Sequence, residues 1–198
     1  GFYHNLALTS TGEIVAWGRN NYGETDIPED LEDVVAIAGG GYHSFALSST
    51  GEIVAWGWNI FGQTDVPEDL EDVVAIAGGY RHSLALTSTG EVVAWGSNDY
   101  GQTDVPEDLE DVVAIAAGNY HSLALTSTGE VVAWSYYNYG QTDVPEDLED
   151  VVAIAGGYYH SLALTSTGEV VAWGSNNYGQ TDVPENLEVL VYSDACDC

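Results

Sequence analysis

Lysine is absent from this chain, and Arg19 and Arg81 are its only basic residues, set against 32 Asp and Glu for a formal net charge of −30 at pH 7. Nucleic-acid affinity is dominated by phosphate contacts that need clusters of Lys and Arg, so nucleic acid is excluded as a partner. Anionic membrane surfaces are disfavoured for the same reason. Cysteine is almost missing too: Cys196 and Cys198 stand one residue apart, too close to staple a fold, and no histidine lies near them to complete a metal site. No apolar run approaches the roughly 20 residues of a membrane helix. The opening Gly1-Phe2-Tyr3-His4-Asn5 has neither the basic start nor the apolar stretch of a signal peptide, so no leader is expected in it. EF-hand spacing is lacking as well, so the acid reads as a solvated surface suited to high salt, where screening removes self-repulsion.

What is present is repetition. His4, His43, His82, His121 and His160 are spaced 39 residues apart, as are Trp17, Trp56, Trp95, Trp134 and Trp173, so five copies fill the chain. Within a copy the period is two: His82, Leu84 and Leu86 alternate with Ser83, Ala85 and Thr87, the pattern of a strand. Ser88-Thr89-Gly90-Glu91 then supplies a turn, with glycine where a positive φ is expected, and the segment from Val92 to Trp95 returns as the hairpin partner. The Val73 to Ala77 segment adds a preceding strand. Thr103 to Pro106 is a candidate fourth, confined to an edge because proline removes a ladder donor.

Both strand faces are apolar, read as one large (Leu84, Leu86, Trp95) and one small (Ala85, Ala94), which suits sheets packed on both sides. No copy holds a helix-length segment of helical period. The expected fold is therefore all-β: a five-bladed β-propeller of 39-residue, mainly three-stranded blades, forming a single domain over residues 1–198. The chain starts just before its first His strand and ends on 187–193, at the repeat positions of the missing strand. That terminal segment is expected to pair with the first blade and close the ring, with 194–198 as a tail.

The run His82-Ser83-Leu84-Ala85-Leu86-Thr87 and the later Val170-Val171-Ala172-Trp173-Gly174-Ser175-Asn176-Asn177-Tyr178-Gly179-Gln180 resemble the repeat of the regulator of chromosome condensation propellers. The compact copies with their Gly-Gln-Thr-Asp-Val-Pro ending are most similar to the β-lactamase-inhibitory protein II type. The resemblance implies a propeller whose loops on one face grip a partner protein, and it favours a secreted or extracellular setting. It also implies seven blades, whereas five copies are present. Exchange-factor activity is not carried over, because no matching features are found.

The copies differ from one another mainly in two loops. One is the pair before each His, holding Tyr3, Tyr42, Tyr80, Arg81, Tyr120, Tyr158 and Tyr159; the other follows each Trp and holds Arg19, Tyr22, Trp58, Phe61, Tyr100, Tyr136, Tyr137, Tyr139 and Tyr178. If the first and third strands of a blade run the same way, both loops emerge on one rim. Tyr, Trp and Arg are the residues enriched at interface hot spots, so these sixteen positions are the candidate partner-binding set. An alternative role for Tyr22, Phe61, Tyr100, Tyr139 and Tyr178, aromatic in every copy, is to wedge between blades. The fivefold His-Ser pair is structural on this reading, because a nucleophile and its base converge once rather than five times. The expected function is a non-enzymatic, monomeric, inhibitor-like binding propeller, with a protein partner and no cofactor or metal. The alternatives are a lectin-like protein with one carbohydrate pocket per blade, and an amplified or designed scaffold with no evolved partner. Arg19, Trp58, Ser97, Tyr136 and Ser175 occupy one equivalent slot, and that diversity argues against repeated pockets.

Overall fold

A computed structural model describes residues 1–135, 137, 139–185, 187 and 189. Fourteen strands occur among them: β1 (His4–Leu8), β2 (Ile14–Gly18), β3 (Val34–Gly39), β4 (His43–Ser48), β5 (Ile53–Gly57), β6 (Val73–Gly78), β7 (His82–Thr87), β8 (Val92–Gly96), β9 (Val112–Ala117), β10 (Ser122–Thr126), β11 (Val131–Trp134), β12 (Val151–Gly156), β13 (His160–Thr165) and β14 (Val170–Gly174). They form one two-stranded sheet, β1-β2, and four three-stranded antiparallel meanders, one sheet per copy. Short β-branched runs bounded by turns cannot bury both faces alone, so the sheets stack radially as blades. The hairpin between second and third strands turns at Gly90, whose φ is 85°, as the sequence pattern requires.

The cross-strand register corrects the expected face assignment. Ser83 pairs with Trp95 and Leu84 with Ala94. Directly opposed residues share a face, so Trp95 lies with Ser83 and Ala85 rather than with the leucines. Each blade interface thus sets a Leu/Leu face against the Ala/Trp face of the following blade: Leu84 and Leu86 pack with Ala124 and Trp134, as Phe45 and Leu47 pack with Ala85 and Trp95. Large and small side chains interdigitate, and the leucines of the third blade are 0–2% exposed.

The candidate fourth strand does not form. Asp104, Val105 and Leu109 donate their backbone N–H groups to Gly101, Thr103 and Pro106, so the segment is a run of tight turns instead of a ladder. Of the proposed closing segment 187–193, all but residues 187 and 189 lies outside the described residues, as does the 194–198 tail.

Candidate functional site

The four interfaces between consecutive copies are each fastened by the same four groups. The indole Nε1 of Trp95 donates to the Gln63 carbonyl at 3.0 Å, and Ser83 Oγ donates to the same oxygen at 2.7 Å. Because the hydroxyl has given away its one hydrogen, His43 Nε2, 3.3 Å from Ser83 Oγ, is the donor of that pair. The arrangement recurs with His4 and Ser44, His82 and Ser122, and His121 and Ser161, always reaching from one copy into the next. These histidines therefore tie blades together, as the sequence pattern suggested. Burial drives His43 and His82 down to about 3 and His121 to about 4, so all three are neutral near pH 7. Their Nδ1 atoms are buried without a partner among the described residues.

The strand register sets the loop geometry. β3 ends where β4 begins and β5 ends, since Gly39 pairs with Ser44 and His43 with Gly57. Both variable loops consequently leave from one end of the molecule, and backbone bonds lash them together: Arg19 N to Tyr3 O, Trp58 N to Tyr42 O, Ser97 N to Arg81 O and Ser175 N to Tyr159 O. A Gln closes the second loop in turn, its Oε1 accepting from the N–H of Phe61, Tyr100 and Tyr178 at 2.9–3.0 Å; Gln63 and Gln102 are buried, Gln180 half-buried.

On that rim the aromatic side chains form an unbroken run of ring contacts. Tyr3 meets Tyr42, which meets Tyr22, Trp58 and Tyr80; Trp58 meets Phe61; Tyr80 meets Tyr120. Tyr120 continues to Tyr100, Tyr137, Tyr158 and Tyr159, and Tyr139 lies 4.8 Å from Tyr159. Edge-to-face geometry predominates, the arrangement favoured by ring quadrupoles. Both guanidiniums lie in this layer. Arg19 sits 5.0–5.5 Å from the ring centres of Tyr3, Tyr22 and Tyr42, and Arg81 sits 4.5–5.6 Å from those of Trp58, Phe61 and Tyr80.

Tyr178 is 94% exposed and stands apart from this run, and Tyr136 lies outside the described residues. Tyr22 and Tyr139, 45% and 52% exposed, meet rings of the following copy at the rim surface. Phe2 is a rim member absent from the sequence-derived set: its ring contacts Tyr3, Tyr80 and Tyr158, joining the first copy to the third and fifth. Its signal was positional, since it fills the slot held by Tyr80 and Tyr158 in other copies. These slots, with the paired glycines, line an axial funnel of about 420 Å³ to which all five copies contribute. Burial and a bond to Tyr158 raise Tyr120 and Tyr159 above the ordinary phenol value, which keeps their hydroxyls protonated.

The model of the regulator of chromosome condensation (RCC1) repeat matches residues 1–24, 34–63, 73–102, 112–141 and 151–180. The chain belongs to the RCC1 repeat family. No curated protein sequence matches it. Among solved structures it is similar to Prp20p from Saccharomyces cerevisiae, whose binding to Gsp1p and histones has been studied, with 26% identity and a TM-score of 0.77 over 98% of this chain and 60% of that one. Yeast RCC1 (Prp20) bound to Kap60 gives 25% identity and a TM-score of 0.74 over 88% and 55%. Human WBSCR16, at 24% identity and a TM-score of 0.73 over 88% and 60%, shows the shared fold. The chain thus spans 55–60% of the length of these RCC1-type propellers.

Proposed function

We propose that this RCC1-type propeller is an inhibitor-like protein-binding module whose contact face is the aromatic rim. The observation that carries the reading is the gathering of the aromatic residues and both arginines at one end, where the carboxylates of the second loops, such as Asp65, are tied to loop asparagines. At the other end, the grooves between blades are lined by acidic groups such as Asp69, Glu71, Asp72 and Glu91. A connected aromatic surface offers large contact area at low entropic cost, as at interface hot spots. Protein partners of the yeast relative support the same class of function.

The carbohydrate alternative loses its main support. The asparagine that recurs in four second loops is engaged within its own loop: Asn59 Nδ2 donates to Asp65 Oδ1 and its Oδ1 accepts from Thr64 N, and Asn20, Asn98 and Asn176 do likewise. Those amides hold the loop shape and have little left to offer a sugar.

The test compares proteins retained from a lysate by the wild type, by a rim variant (Trp58→Ala with Tyr120→Ala) and by an opposite-end variant (Glu71→Gln with Glu110→Gln), followed by calorimetry on each purified binder. A rim contact predicts at least about tenfold weaker binding for the first variant, the loss of a hot-spot residue, and near-native binding for the second. Binders that survive the rim substitutions unchanged would sink the reading.

A further inference from the structure

The second and third copies build a feature of the rim that the other copies lack. In the third and fourth copies the buried Gln that closes the second loop has both ends of its amide engaged: Gln102 Nε2 donates to Ser97 Oγ, and Gln141 Nε2 to the Tyr137 carbonyl. In the second copy Trp58 occupies the position of Ser97, and Gln63, 0% exposed, is left with Nε2 unpartnered. Trp58 Nε1 and Arg81 Nε are likewise buried without an acceptor. The Arg81 guanidinium lies 5.6 Å from the Trp58 ring centre and 4.5 Å from that of Phe61, whose N–H is held by Gln63 Oε1 at 3.0 Å. Three solvent-excluded donors, one of them on a cation, are therefore gathered around one pair of rings with no acceptor among the described residues.

Leaving a buried donor unmet is costly, more so when the group is charged. Arg19 shows how the chain meets that need elsewhere: the Asn21 amide, with its oxygen turned toward the guanidinium, accepts from Arg19 Nε and Nη2 at 3.1 Å each. Among the described residues Arg81 has no such neighbour at Nε. A guanidinium fork and an indole N–H match the geometry of a planar anionic acceptor such as a carboxylate.

We propose that the Trp58–Phe61–Arg81 sector is a subsite for a carboxylate side chain, an Asp or Glu that the protein partner inserts between the second and third copies. This rests on the rim being the partner face, and it adds the chemistry of the anchor. The surrounding negative field opposes such a ligand at low salt, so the subsite works at short range, where aromatic walls exclude water, and it gains from screening.

Acetyl-glutamate amide, a capped residue carrying only the side-chain carboxylate, is titrated into 15N-labelled protein in 1 M NaCl, with acetyl-glutamine amide as control. With no lysine and two arginines, the arginine Nε–H region of the spectrum holds two signals. Saturable shifts are expected at Arg81 Nε–H and Trp58 Nε1–H with a Kd of about 1–10 mM, the range for a ligand of this size. Arg19 should stay still, the glutamine control should shift nothing, and Arg81→Gln should abolish the Trp58 response. Arg81→Lys, which keeps the charge but loses the fork, should weaken it about tenfold and serves as the variant if Arg81→Gln melts early. No saturable response, an equal response to glutamine amide, or an equal response at Arg19 overturns the proposal. The two readings fail separately: a partner whose binding falls with Trp58→Ala and Tyr120→Ala but ignores Arg81→Gln removes the subsite and leaves the rim. A carboxylate response without any rim-dependent partner does the reverse.

Discussion

At the scale of the residue, the repeated tryptophan is informative because its five copies do not share one environment. Trp56, Trp95, Trp134 and Trp173 are 7–8% exposed and each donates to a Gln or Glu carbonyl of the preceding copy, whereas Trp17, in the first copy, is 51% exposed. Trp95→Phe should lower stability by about 1–3 kcal/mol through a lost hydrogen bond and a gap at the interface, while Trp17→Phe stays within about 0.5 kcal/mol, both read from urea unfolding. Equal costs would mean that the interface bond contributes nothing. The histidines give a pH signature. A base whose folded pKa lies near 3, against about 6.5 when unfolded, binds its proton first in the unfolded chain. Stability is therefore full above pH 6.5 and declines as pH falls toward 3. From pH 7 to 5.5 in 1 M NaCl the loss should be about 1 kcal/mol for each of His43, His82 and His121, and His82→Gln should flatten the slope. A melting temperature independent of pH over that interval would contradict neutral burial of these rings.

At the scale of the element, the glycine pair before each rim loop explains why the inner strand ends where it does. A Cβ on Gly79 would sit 2.1 Å from Cε1 of His82, so the imidazole packs on the bare backbone. The chain contains its own control: the second glycine of the pair is kept in every copy, as Gly1, Gly40, Gly79, Gly118 and Gly157, while the first is replaced by Ala117 in the fourth copy. Gly79→Ala should displace His82 from Ser122, loosen the blade and cost about 2–4 kcal/mol in chemical unfolding, the range for overpacking plus a broken buried bond. A near-neutral result would show that the ring swings aside freely. The strands themselves were legible from alternation and turn chemistry, but the face carrying Trp95 was not. Parity along one strand is intrinsic, whereas which residue of the partner shares its face depends on where the hairpin pairing begins, here Ser83 opposite Trp95.

At the scale of the whole molecule, the excess of acid governs both stability and association. With a net charge of −30 the folded state repels itself, and raising NaCl from 0.1 to 1 M shortens the screening length from about 10 to about 3 Å. The melting temperature should rise monotonically over that range; a fall would show that attractive charge pairs outweigh repulsion. The same argument predicts that cationic or neutral partners associate faster than acidic ones at low salt.

Repeat number, strand content, the propeller class and the two loops that carry variation were determined by the sequence, because each depends on local period, turn residues and self-comparison along the chain. Tertiary structure decided which of those variable residues meet. Tyr178 fits the pattern as well as Tyr139 does, yet it stands alone in solvent. Phe2 draws three copies together from a slot that looked unremarkable. Arg81 and Arg19 read alike in sequence, but the Asn21 amide turns to Arg19, whereas Arg81 Nε, Trp58 Nε1 and Gln63 Nε2 meet no acceptor among the described residues. The reason is physical: periodicity specifies the blade that every copy shares, while the contacts that make one sector unlike the next arise between copies, where neighbouring blades bring distant loops within reach.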